Sequence, residues 1–367
     1  MSEIEHSGFE GRPFQPATGD AHLEVENPTT GERLASVSAA QRGDVDTAVA
    51  AAQAAFKGPW HAVSPAGRGR LLNKLTDLIE RDAYDLAGLE ALDAGIVFGE
   101  SKRLHIPQAC ETLRYFAGGY AFTRREPLGV CAAVVPWNAP LMITIWKLGG
   151  KGASIVFADA DLDNALFWTA TGITAHNWQV CAAGSRIYIH AKIYDVFLLR
   201  FAERLAGSAS GDLLASGTTK GPVINARQRE KILAYIQYAK EAGIRQVAGD
   251  NALPAGGLFV PNSAFVDVPD DARIMREEIF GPVASIAKFN TEAEVIEKAN
   301  ATEYGLSAAV FTNDVNRAQR VSEALKSGQV TVNCWGLLHA NTPFGAGKQS
   351  GFGRDMGEEA LEGWMTT

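Results

Sequence analysis

Apolar and polar positions follow two different periods along this chain, and the change between them divides it. From residue 44 to residue 115 the apolar positions recur every three or four residues. Leu71, Leu72, Leu75, Leu78 and Ile79 mark one face of a helix opened by Ser64-Pro65. Asp44 is expected to cap an Ala-rich helix running to Phe56, with further helices over residues 83–92 and 105–115. Ahead of them, residues 22–26 and 34–37 read as short strands around a turn at residues 27–32, behind a loose polar arm over residues 1–20. None of this half carries chemistry, and it reads as a helical jacket.

Beyond Pro127 the pattern changes to short apolar runs separated by helical segments. Strands are expected over residues 130–135, 155–157, 187–190, 266–268, 283–289, 307–311 and 330–333. Helices are expected from Asp161 to about His176, then over residues 192–205, 225–242 (with Asn225 as N-cap), 292–301 and 315–325. Helices alternating with strands at this spacing predict an α/β fold, a largely parallel sheet with helices on its faces. A Gly-rich loop over residues 344–354 precedes a last helix. There is no internal repeat.

Length and charge then narrow the picture. A chain of 367 residues exceeds one ordinary core and predicts two or three packed units. A net charge of −8 without basic clusters argues against nucleic acid and anionic membranes. The uncharged run over residues 127–146 holds Pro136, Asn138 and Pro140, which suits a buried strand and an irregular loop better than a membrane helix. Four dispersed cysteines and no apolar leader predict a reducing, cytoplasmic setting.

The candidate chemistry centres on Cys181, in Gln179-Val180-Cys181-Ala182-Ala183-Gly184-Ser185-Arg186. Small residues after a cysteine leave room for an electrophilic carbon and bring backbone N–H groups near the oxygen that becomes negative. On this reading Cys181 is the least crowded and the most alkylation-prone of the four thiols. His176, five residues earlier, is taken as a polar helix-terminal residue rather than a partner of the thiol. Gly345-Ala346-Gly347 lacks the strand-turn-helix frame of a dinucleotide fingerprint, Gly347-Lys348-Gln349 is not a phosphate loop, and the scattered histidines predict no metal site.

Several further motifs stand in order with this one. They are Pro136-Trp137-Asn138 with Pro140, Leu148-Gly149-Gly150-Lys151 with residues 157–163, Glu277-Glu278-Ile279-Phe280-Gly281-Pro282, and Pro343-Phe344-Gly345 with Ser350-Gly351-Phe352-Gly353-Arg354. Together they resemble the NAD(P)-dependent aldehyde dehydrogenase superfamily from about Glu26 onward. The resemblance implies Cys181 as the nucleophile that forms a thioester, with Asn138 and the Cys181 N–H as the oxyanion hole. It implies Pro136, Trp137, Leu148, Gly149, Glu278 and Phe280 as cofactor contacts, NAD or NADP as cofactor, a small-molecule aldehyde as substrate and a homo-oligomer as the assembly. It divides the chain into residues 1–147 (arm, jacket and a remnant of the cofactor domain), 148–340 (nucleophile domain) and 341–367 (Gly-rich loop and a helix packing back on the N-terminal part).

The sequence also departs from that pattern. The family places a glutamate, the base for the deacylating water, immediately before Leu-Gly-Gly, and here that position is Lys147. Trp146-Lys147 runs straight into Leu148-Gly149, so the βαβ units that hold the adenosine end of the cofactor are absent. One glycine is lost between Asn177 and Gln179. These departures leave two rivals to aldehyde oxidation: a non-catalytic relative or partner subunit, and a cofactor-independent thiol esterase.

Overall fold

The computed structural model describes residues 17–118, 126–127, 129–131, 137–138, 149–249, 252–351 and 353–366. Pro136, Lys147, Leu148 and Phe352 lie outside them, as do residues 132–135 of the strand expected at 130–135. Val130 and Cys131, the described start of that stretch, are not strand.

The centre is a seven-stranded sheet. In chain order its strands are β1 (Ala153–Val156), β2 (Arg186–His190), β3 (Arg245–Ala248), β4 (Ser263–Val266), β5 (Val283–Phe289), β6 (Ser307–Phe311) and β7 (Gln329–Val332). Their spatial order is β7-β6-β1-β2-β5-β4-β3. Every neighbouring pair is parallel except β3 with β4, which is antiparallel. The expected α/β class is therefore the one observed. Successive side chains point to opposite faces: Ile155, Tyr188 and Val310 enter one apolar cluster, while Val156, Ile187 and Phe311 enter the other. Helices cover both faces, so β1 and β6 are buried at every residue and read as small and apolar residues throughout.

Local sequence rules set most boundaries. The Asp161 side chain accepts the Asn164 N–H (3.0 Å) and starts the helix Leu162–Thr174. Asn225 accepts the Gln228 N–H (2.9 Å) at the start of Ala226–Glu241, and Ser64 accepts the Gly67 N–H (3.1 Å) at Pro65–Arg81. Three expectations need correction, and one strand was not expected at all. The first helix, Arg42–Lys57, is capped by Gln41; Asp44 sits a turn in and reaches back to the Gln41 N–H (2.7 Å) in a capping box. The strand expected at 266–268 is Ser263–Val266 and stops where Asp267 takes a positive φ of 53°. Polar, half-exposed β3 lacked an apolar signal because it is an edge strand. The last helix is a run of 3₁₀ turns, Glu358–Trp364, followed by Met365–Thr366 pairing antiparallel with Glu126–Pro127.

In the N-terminal half, strands His22–Glu26 and Arg33–Ser38 form an antiparallel hairpin. Pro65–Arg81 packs on Ile106–Ala117 through a small cluster of Ile79, Ala87, Ile106 and Cys110. The helix Arg42–Lys57 buries no residue.

Candidate active site

The site forms where the sheet's central strands meet the loops at their entry. After Thr174 the chain does not run helically to the cysteine. His176, Asn177 and Trp178 take positive φ values of 47°, 50° and 59° in a tight left-handed turn, strained for residues with side chains. The turn is buried, and the Asn177 side chain holds it by donating to the Pro222 carbonyl at 2.7 Å. The carbonyl of Ala182 accepts from Ser307 Oγ (2.8 Å) and Trp335 Nε1 (3.0 Å), which fixes the loop that follows. Arg186 is itself buried, donating to the carbonyls of Lys151 (3.0 Å), Lys298 (3.1 Å) and Ala299 (2.9 Å). Two of those carbonyls lie in the last turn of helix Glu292–Asn300, where a cation suits the helix dipole.

Cys181 is half-buried and packs beside Val180, Leu338 and the buried Ala182, Leu306 and Phe344. Burial, then the negative charge of Glu278, push its thiol pKa up to about 12, although the N–H groups of Ala182 and of Cys181 itself favour the thiolate. The unencumbered thiol expected from the small neighbours is thus not what is observed. Small side chains let the loop pack tightly, and tight packing removes water from the sulfur. Cys131, by contrast, is exposed, which predicts that it, rather than Cys181, is alkylated first.

Asn138 is buried next to this loop. Its Nδ2 donates to the Gln179 carbonyl at 2.7 Å, two residues before Cys181. The carboxamide therefore reaches the nucleophile loop from a distant part of the chain, but one of its two N–H donors satisfies a buried carbonyl. Its Oδ1 has no hydrogen-bond partner among the described residues.

Glu278 joins the opposite wall. One carboxylate oxygen accepts the Gly150 N–H at 2.9 Å, and a Cβ on Gly149 would lie 2.8 Å from the other. Burial raises the Glu278 pKa, against the opposing pull of that N–H and of Lys231 and Lys151. The next turn is held by Gln228, whose Nε2 donates to the carbonyls of Ile279 (3.1 Å) and Phe280 (2.8 Å). Phe280 has a positive φ of 59°, and its ring meets Trp137 edge-on with centroids 5.8 Å apart. Of the expected residues, Asn138 is thus bonded to the cysteine loop at Gln179, Glu278 is bonded to Gly150 and lies against Gly149, and Trp137 meets Phe280.

Two residues given no part in the site beforehand belong here. Lys151 is buried, and its Nζ has no hydrogen-bond partner among the described residues; burial and Arg186 lower its pKa to about 7. Its signal was a lysine between glycines leading into a wholly buried strand. His176 is buried rather than a surface polar residue, with its ring 6.3 Å from Trp137 and both ring nitrogens unpartnered among the described residues. Burial, then His105, bring its pKa down to about 3. No group of three or more His, Cys, Asp or Glu able to hold a metal occurs among the described residues.

These features define a class first: an α/β protein with a mostly parallel sheet, a cysteine loop that a carboxamide from a distant segment holds at Gln179, and a carboxylate held at Gly150. The model for the aldehyde dehydrogenase family matches residues 14–148 and 147–367. An aldehyde dehydrogenase of Alternaria alternata is 35% identical over 464 positions, covering 98% of this chain and 93% of its own length. Aldehyde dehydrogenase 1A1 of Ovis aries is likewise 35% identical, with 96% and 90% covered. The NAD+ complex of a Bacillus cereus aldehyde dehydrogenase superposes with a TM-score of 0.92 at 30% identity, covering 96% of this chain and 93% of that one. The chain belongs to the aldehyde dehydrogenase family. The two matched segments meet at Lys147–Leu148, and 464 aligned positions exceed the chain's 367 residues, so the match spans a gap.

NAD(P) is the cofactor of this family. The described residues fit its nicotinamide end: one oxygen of Glu278 has no hydrogen-bond partner among them, an acceptor for a ribose hydroxyl, and Phe280 and Trp137 form an aromatic corner beside it. No helix among the described residues is long and apolar enough to cross a membrane.

Proposed function

We propose that this chain oxidises a small-molecule aldehyde to a carboxylic acid through a thioester on Cys181. The observation that carries this reading is the approach of the Asn138 carboxamide to the cysteine loop, 2.7 Å from the Gln179 carbonyl. In the proposed reaction the Cys181 sulfur adds to the aldehyde carbon after giving up its proton. The resulting alkoxide is stabilised by the Cys181 backbone N–H and by the Asn138 N–H not committed to Gln179. NAD(P), when bound, supplies the hydride acceptor. Glu278 and Phe280 hold its nicotinamide end, with Trp137, Pro136, Leu148 and Gly149 alongside. Water then hydrolyses the thioester and frees the thiol. Relatives described as cytosolic, such as one from Mus musculus at 34% identity, support a cytoplasmic setting.

A panel of aldehydes with NAD and NADP, followed at the absorbance of the reduced nicotinamide, tests this reading. Turnover that disappears in C181A supports it. No turnover at high protein concentration, with no cofactor binding by calorimetry, overturns it. The second reading, a relative that folds without oxidising aldehydes, is favoured by the junction at Lys147–Leu148 and predicts that negative result.

A further inference from the structure

The geometry points to a second binding site, for a small oxyanion, at the carboxyl ends of the central strands. Gly150, Cys181 and Glu278 precede the strands they lead into, β1, β2 and β5, so the candidate active site sits at the amino ends. The five residues of β2 set the two ends roughly 15 Å apart. At the carboxyl ends the chain leaves in two directions. The helices after β1 and β2, Leu162–Thr174 and Tyr194–Ala206, send Leu166 and Phe197 into the apolar cluster on one face. Those after β5 and β6, Glu292–Asn300 and Val315–Ala324, send Val295 and Val321 into the other. Connections that part to opposite faces open a crevice outside the carboxyl ends, the usual place for a ligand on an open parallel sheet. A cavity of about 250 Å³ lies there, lined from all four connections.

Its polar groups decide the charge of the ligand. Asp159 is already engaged, accepting from Thr312 Oγ1 (2.8 Å), the Asn313 N–H (3.2 Å) and Arg317 (2.6 Å). Glu292 accepts two bonds from Arg320, each 3.1 Å. What stays open is a set of donors. His190 Nδ1 accepts the Lys192 N–H at 3.2 Å, so the neutral ring carries its proton on Nε2. The Lys192 ammonium forms no ion pair, and the Asn290 carboxamide no hydrogen bond, among the described residues. Beneath them the floor is fixed by aromatic packing. Phe289 meets Phe157 and His190 edge-on, each at 5.3 Å, and Arg317 lies over Phe157 at 4.8 Å. The four helices also begin at the crevice, where their N-termini add positive potential. Open donors beside carboxylates that are already paired select a phosphate or carboxylate group over a cation.

Calorimetric titration of the full chain with inorganic phosphate, and separately with succinate, tests the site. The expected result is saturable binding of at least one anion, which K192M and H190F each weaken about tenfold or more. Whichever anion binds more tightly assigns the group. K57M, on the exposed end of helix Arg42–Lys57, should leave binding unchanged and controls for attraction by charge alone. Lys192 is exposed, so K192M should melt as the wild type does and decides the outcome even if H190F fails to fold. No saturable binding of either anion overturns the proposal. So does binding that K192M leaves intact, or that K57M weakens equally.

Discussion

The sheet and the N-terminal helices both carry apolar side chains, but they use them differently. β1 and β6 are buried at every position, between helices on both faces. The helix Arg42–Lys57 buries nothing, and Val45, Val49, Leu71 and Leu75 stand exposed on the N-terminal helices. Apolar side chains stabilise a fold only when something covers them, at roughly 25 cal/mol per Å² removed from water. The family match breaks at Lys147–Leu148, where the sequence passes from one region to the other. The difference teaches that the same kind of side chain is covered on one side of that junction and left exposed on the other.

That contrast can be broken at several places, the largest effect first. Cys131 is exposed in one half and Cys181 is desolvated in the other. Iodoacetamide at pH 8 should label Cys131 orders of magnitude faster, because the thiolate is the reactive form. Peptide mapping that finds Cys181 labelled first would reverse the comparison. Phe289→Ala, in β5, should lower stability by about 3–5 kcal/mol in denaturant unfolding, since that ring is fully buried. A loss below 1 kcal/mol would mean that the sheet is not the stable unit.

A third prediction concerns acid. The folded pKa of His176 is held at about 3, below its ordinary 6.5. The unfolded chain therefore binds the extra proton first as pH falls. The contribution of His176 is fully present above pH 6.5, declines by about 1.4 kcal/mol per pH unit below it, and is gone near pH 3. Urea unfolding between pH 7.5 and 5 should show that decline, and His176→Gln should flatten it. Smaller still, Asp161→Ala should cost about 1 kcal/mol through the lost cap. Val49→Ala, on the uncovered helix, should shift stability by no more than about 0.5 kcal/mol. A cap effect smaller than the Val49 effect would erase the distinction between the halves.

The legibility of the chain follows the same line. Strands β5 and β6 were read at their observed bounds, because a largely buried parallel strand is a mainly apolar run between turn residues. Caps at Ser64, Asp161 and Asn225 were legible from side chains that accept N–H groups three residues on. β3 was not, since an edge strand can be polar. At the site, motif order placed Cys181 and Asn138 near one another in expectation. Motif order cannot report hydration: the same small residues that suggested an open thiol allow the packing that desolvates it. Lys151 was passed over because its meaning lies in the lack of a partner, which no spacing records.

Gly150 carries one more consequence. A methyl group there would collide with the Cys181 carbonyl oxygen at 2.8 Å and with Leu306 Cβ at 3.0 Å, neither of which can swing aside as a flexible side-chain end would. The residue thus works as a spacer of no thickness, setting by its emptiness how near its own turn can stand to the backbone of the cysteine loop. An alanine there would wedge the two walls apart while leaving every charged and nucleophilic group in the chain intact.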